Sequence, residues 1–103
     1  MKIYNLTFIV DPVREEAFLK WLKERLVAPE FIGCTLLKVA DVPGDPEFAA
    51  HALSVSLQKR CPTEADMASF REGPAENLSE EYARWAGGEG MTFATVLEEL
   101  PLG

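Results

Sequence analysis

Histidine is almost missing from this chain of 103 residues: there is one, His51. A catalytic dyad or a His-ligated metal site would have to use it, and it stands at the end of a turn-rich connection. A solvent-exposed or loop-packed histidine is the expected reading. Cysteine is scarce too. Cys34 and Cys61 have no CxxC spacing and no histidine beside them in sequence, which leaves zinc unsupported; no metal site is expected. In a reducing compartment both are expected as free thiols. Clustered positive charge is lacking. Ten basic residues face 17 acidic ones, a formal net charge of -7, and Lys20, Lys23 and Arg25 are diluted by Glu15, Glu16 and Glu24. Such a surface repels phosphate, which excludes nucleic acid and anionic membranes as natural partners. No apolar run is long enough to span a bilayer. The start from Met1 to Phe8 is interrupted by Asn5 and Thr7 and carries no small-residue cleavage site, so no secretion signal is expected and the cytoplasm is the default location. GxGxxG, P-loop, GxSxG and HExxH motifs are all missing, and no cofactor is indicated. The glycine run at Gly87, Gly88 and Gly90 follows a helix instead of opening one, which does not suit phosphate.

What is present reads as one α+β domain spanning 1–103. Residues 2–10 alternate as a strand, with Tyr4, Leu6, Phe8 and Val10 on one face and Ile3, Asn5, Thr7 and Ile9 on the other. Asp11 and Pro12 open a helix: Asp accepts from free N–H groups of the first turn, and Pro is preset for the first helical position. Val13, Ala17, Phe18, Trp21, Leu22 and Leu26 form its apolar face, and it should end near Val27, before Pro29. A second strand is expected over 33–42, followed by turn chemistry from Pro43 to Pro46. A third strand, about 51–59, alternates sharply, with Leu53, Val55 and Leu57 opposite Ala52, Ser54, Ser56 and Gln58. Pro62 and Thr63 open a second helical region, with Thr63 and Asp66 resembling a capping box. Gly73-Pro74 should break or kink it, giving helices over about 63–72 and 75–86. Met67, Phe70, Leu78, Tyr82 and Trp85 are its expected buried residues. Residues 91–100 form the last strand. The order β-α-β-β-α-β is the ferredoxin-like, split-βαβ pattern. Right-handed crossovers then place both helical regions on one face of a four-stranded antiparallel sheet.

The other face of that sheet is the informative feature. A water-facing sheet is expected to be strongly polar on its open side. Here the first strand offers Ile3 and Ile9 beside Asn5 and Thr7, the third offers Ser54 and Ser56, and the last is apolar in both registers through Phe93, Ala94, Val96 and Leu97. A semi-apolar, nearly uncharged face suits burial against another protein, and the economical partner is a second copy in a C2 dimer. Small residues at Ala52 and Ser54 would leave space for a small apolar ligand between the sheets.

The segments Ile3–Val10, Phe18–Lys23, Leu53–Leu57 and Phe93–Glu98, with Pro74, Leu78 and Trp85 followed by a glycine, together resemble the DUF4286 family of small bacterial proteins. The likeness spans nearly the whole chain, and its motifs are structural. Ser56 and Leu57 depart from the Gln and Tyr usual there. The resemblance implies a dimeric α+β-barrel-like fold of uncharacterised function and carries no catalytic residues onto this chain.

Two readings of function follow, and a third is a small regulatory partner of an enzyme. The first is a homodimeric binding or interaction module with a ligand space lined by Asn5, Thr7, Ser54, Ser56 and Trp85. The second rests on analogy with dimeric α+β-barrel monooxygenases, including heme-degrading and quinone-forming ones, which pair a strand-one Asn with a Trp or His. Asn5 with Trp85 or Trp21 would imitate them as a cofactor-free or heme-dependent oxygenase, although the helix-two histidine is missing. Otherwise both tryptophans read as core, Glu80 and Glu81 as a solvated helix face, and Glu98 and Glu99 as pointing to opposite sides of a strand.

Overall fold

The computed structural model describes residues 1–45, 47, 52–88 and 90–103. His51 lies outside them. Strand β1 (Lys2–Val10) leads through a 3₁₀ turn (Pro12–Arg14) into helix α1 (Glu15–Arg25). A second 3₁₀ turn (Pro29–Phe31) precedes β2 (Thr35–Lys38), and β3 covers Leu53–Cys61. Helix α2 (Glu64–Phe70), a π-helical turn (Arg71–Ala75) and α3 (Glu76–Ala86) follow without interruption, and β4 (Met91–Glu98) closes the order.

The four strands form one antiparallel sheet in the order β2-β3-β1-β4. The architecture is α+β and compatible with a ferredoxin-like type. Both helical regions cover the same face. Tyr4, Leu6, Phe8 and Val10 of β1 and Leu53, Val55 and Leu57 of β3 are buried there with Phe18, Leu22, Met67, Phe70, Leu78 and Tyr82. Aromatic contacts join the layers: Phe8 meets Phe18 at 5.5 Å and Tyr82 at 5.2 Å between ring centroids, and Tyr4 meets Phe70 at 5.6 Å. Each such side chain stabilises the fold by about 1.5–3 kcal/mol through lost apolar exposure. The Tyr82 hydroxyl satisfies its own burial by donating to the Ile9 carbonyl at 2.7 Å.

Local chemistry accounts for the helix starts. Asp11 Oδ1 accepts from the Val13 N–H at 3.0 Å, and Thr63 Oγ1 accepts from the Asp66 N–H at 3.1 Å. Gly87 ends α3 in the left-handed region at φ 67°, its N–H reaching the Ala83 and Arg84 carbonyls.

Several expectations need correction. Gly73-Pro74 divides the second helical region into two α-helices, as expected, but through a π turn rather than a gap in the helical course. In an α-helix the Pro74 ring would strike the carbonyl of Phe70, four residues back; the wider π turn removes that clash and the chain continues as α3. Val13 is 91% exposed because the 3₁₀ entry rotates it away from the apolar stripe of α1. Helix α1 ends at Arg25, and Ala17 is exposed. Strand β2 is only four residues long, and β4 stops at Glu98. Trp85 is half-buried at the outer margin of the core.

Candidate functional site

Register assembles the open face of the sheet into cross-strand rows. Leu97, Ile3 and Arg60 form the first row, and Thr95, Asn5, Gln58 and Thr35 the second. Phe93, Thr7, Ser56 and Leu37 form the third, and Met91, Ile9 and Ser54 the fourth. Opposed residues share a face, so these side chains point away from the helices. Arg60 is the only charged residue in the four rows, and it is ion-paired with Glu99 beyond the end of β4.

All the polar side chains of the middle rows except Thr35 are bonded to each other. Asn5 Nδ2 donates to Thr7 Oγ1 and to Thr95 Oγ1, both at 3.2 Å, and Asn5 Oδ1 accepts from Gln58 Nε2 at 3.1 Å. The Thr7 and Ser56 hydroxyls share a bond at 3.0 Å. An amide at the centre of a strand is unfavourable without partners. Here its donors and its acceptor are all used within the face, so Asn5 itself can be taken out of water without leaving an orphaned group. Apolar rows lie on both sides of it. Met91, Phe93 and Leu97 are 55%, 50% and 43% exposed.

Four of the five sequence candidates lie on this face. Asn5, Thr7 and Ser56 are joined in one network, and Ser54 sits one row away, opposite Ile9. Trp85 is elsewhere. It belongs to an aromatic ladder on the helical side, 5.7 Å from Trp21 and 6.1 Å from Tyr82, with the Arg14 guanidinium 4.0 Å from its ring centroid. Within one chain the sheet separates Asn5 from both indoles, because Trp21 packs on Phe18 and Tyr82 beneath the opposite face. A pocket lined by Asn5 and an indole of the same chain is therefore not formed.

Two hollows lie beside the open face rather than on it, one touching it at Arg60, and sequence reading gave no sign of either. A cleft of about 390 Å³ opens where β3 meets α2, lined by Lys59, Asp66, Ser69, Phe70 and Pro74. A groove of about 310 Å³ runs between β4 and the π turn and α3, lined by Tyr4, Leu6, Arg71, Glu76, Thr92 and Ala94. Both depend on how far the helices sit from the sheet margins, which the pattern of apolar residues does not encode. The sequence candidates line neither.

The remaining reactive groups are quiet. Cys34 and Cys61 are free thiols. Burial pushes the Cys34 thiol up from its ordinary value, with Lys59 pulling down and Cys61 adding a smaller push upward. A thiol so shifted is a poor nucleophile at neutral pH. Burial likewise raises the Tyr4 and Tyr82 hydroxyls, opposed in part by Arg71 and Arg14 respectively. Among the described residues, no three His, Cys, Asp or Glu side chains are grouped to hold a metal ion. No helix of the described residues is long and apolar enough to cross a membrane.

Comparison with curated proteins finds no match. The family model for a domain of unknown function, DUF4286, matches residues 1–100. That match takes in every strand and helix described above, and the chain belongs to the DUF4286 family.

Proposed function

We propose that this chain is a single ferredoxin-like, split-βαβ domain that works as a homodimeric binding or interaction module of the cytoplasm, its two open sheet faces packed together. The observation that carries the reading is the composition of that face. A chain with 27 charged residues among 103 presents only Arg60 in the four rows. Asn5, Thr7, Ser56, Gln58 and Thr95 are bonded to one another, which lowers the cost of burying them.

Size agrees with the reading. Strands about 4.8 Å apart, three of them about 27–30 Å long and β2 about 13 Å, give a flat footprint of about 500 Å² per copy, so about 1,000 Å² is buried over both, the lower bound of a specific interface. A two-fold axis through the face sets apolar rows on apolar rows and keeps the acidic exteriors apart. The hydroxyls at Ser54 and Ser56 are short beside Ile9, Leu37 and Phe93, which leaves room between the sheets for a small apolar molecule.

The test is the mass in solution of wild type and of Thr7→Lys. Thr7 lies at the centre of the face, and a lysine there places two ammonium groups near the axis. At micromolar concentration wild type is expected at the mass of two chains, and Thr7→Lys, with unchanged circular dichroism, at that of one. A wild-type monomer throughout the micromolar range contradicts the proposal. Blue-shifted fluorescence of an apolar dye with wild type, lost with Ser54→Leu, is the expected result for the ligand space.

A further inference from the structure

The two edges of the sheet are built differently. The β2 edge has only four residues, and its last, Lys38, is ion-paired with Glu15 at 2.8 Å. A short strand ending on a charge is a protected edge. The β4 edge has eight residues, Met91–Glu98, with no proline and no charge before Glu98. Its register against β1 runs without a bulge from Ile9↔Met91 to Lys2↔Glu98. None of the means that blunt an edge is present along Met91–Leu97. Among the described residues, no backbone hydrogen bond outside the sheet ladder involves Met91–Glu98. The helical layer touches this margin at Thr92, whose Oγ1 accepts from Ser79 Oγ at 2.9 Å, but leaves the far end of β4 open. Val96 is 48% exposed on the helix side, and the 310 Å³ groove lies beside it.

We infer that β4 is a strand-pairing edge and that its occupant is β4 of a second copy, running antiparallel. The surface is distinct from the open face and goes beyond the module proposed above. Charge selects the occupant. An uncharged strip offers nothing to a charged peptide, whereas the same strip on another copy meets it without like charges, in a chain whose net charge is -7. Symmetry fits as well. A two-fold axis normal to the sheet keeps each side chain on its own face, so the axis must pass through a residue position. Centred on Ala94, it sets Thr92 opposite Val96, Phe93 opposite Thr95 and Met91 opposite Leu97, while Glu98 falls opposite Gly90. The contact is about 27 Å long, with about eight main-chain hydrogen bonds across it. Both grooves then open onto one continuous eight-stranded sheet. Combined with face-to-face pairing, the two interfaces close a four-chain assembly of D2 symmetry.

The experiment uses the full chain with two edge variants, Val96→Lys and Ala94→Lys, beside Thr7→Lys on the face. Mass in solution and amide hydrogen exchange are followed from micromolar to millimolar concentration. The expected result is that β4 amides directed away from β1 gain protection as concentration rises, in wild type and in Thr7→Lys alike. Ala94→Lys should weaken the association by about tenfold or more, because two lysines meet across the axis, and Val96→Lys should weaken it as well by setting a lysine against Thr92 of the other copy. Outward β4 amides that exchange as free groups at every concentration overturn the inference, as does an unchanged mass series in both edge variants. Loss of assembly in Thr7→Lys alone retains the face and rejects the edge; loss in the edge variants alone does the reverse. A variant that loses its circular dichroism is set aside, and the exchange data on wild type then decide.

Discussion

Gln58 donates from Nε2 to Asn5 Oδ1 at 3.1 Å across the β1–β3 pair, on the side of the sheet away from the helices. The bond ties an amide that strand geometry disfavours to a neighbour that needs it, and Thr95 and Thr7 use the remaining donor capacity. Asn5→Ala removes all three bonds and leaves Gln58 without its acceptor. Net hydrogen bonds contribute about 0.5–1.5 kcal/mol each, and these are partly exposed in a lone chain, so the expected loss is about 1–2 kcal/mol. Urea unfolding at a concentration where the chain is assembled measures it. An unchanged midpoint would show that the network is incidental.

The third strand supplies a check on which face is buried. Leu53 is packed under the helices with Val55 and Leu57. Leu53→Ala should cost about 2–5 kcal/mol by leaving a cavity. Ser54→Ala, one residue on and facing the other way, should stay within about 0.5 kcal/mol in the same denaturation series.

Gly90 is held by space rather than by backbone angle. A Cβ there would lie 2.5 Å from the Tyr82 ring and 2.7 Å from the Ala86 methyl. Tyr82 cannot yield easily, being buried and bonded to the Ile9 carbonyl. Gly90→Ala is expected to destabilise by about 1–3 kcal/mol, as overpacking does. Combining it with Tyr82→Leu, which removes the obstructing ring, should recover part of that cost; strictly additive losses in thermal unfolding would refute the contact.

Alkaline stability follows from the two buried tyrosines. Burial, the largest cause in each, raises the hydroxyls of Tyr4 and Tyr82 above their ordinary value of 10.0. The unfolded chain therefore releases these protons first. The stability they contribute is complete below about pH 10 and is lost as pH rises through the folded values. Unfolding free energy should fall on titration upward from pH 9, and the fall should shrink in the Tyr4→Phe, Tyr82→Phe double variant. A pH profile identical in the two proteins would contradict the assignment.

Much of this was legible in the sequence because alternation is a direct image of burial. Tyr4, Leu6, Phe8 and Val10 are buried, and Asn5 and Thr7 face the other way, as period-two patterning requires. Met67, Phe70, Leu78 and Tyr82 were readable for the same reason at helical spacing. Pro74 marks where the α-helix is interrupted, but the π form of the interruption has no signature beyond the residue it accommodates. Val13 misled because helical periodicity was extended into a 3₁₀ turn. Strand β2 was read too long because apolar residues up to Val42 continue past the last paired residue, Lys38. Trp85 was grouped with Asn5 by analogy, whereas its stacking on Trp21 and Tyr82 and its contact with Arg14 fix it on the other side. The polar network on the open face depends on which residues register sets opposite Asn5, and single-strand patterns do not contain that.

The most direct measurement of the central claim is methyl NMR with a soluble paramagnetic cosolute. Val13, 91% exposed, and the buried Val55 provide the two reference levels. The account predicts that the methyl signals of Ile9 and Leu37 resist broadening as Val55 does, and that Thr7→Lys makes them broaden as Val13 does. Ile9 and Leu37 signals that broaden like Val13 in wild type would mean that the open face stands in water, and the account would be wrong.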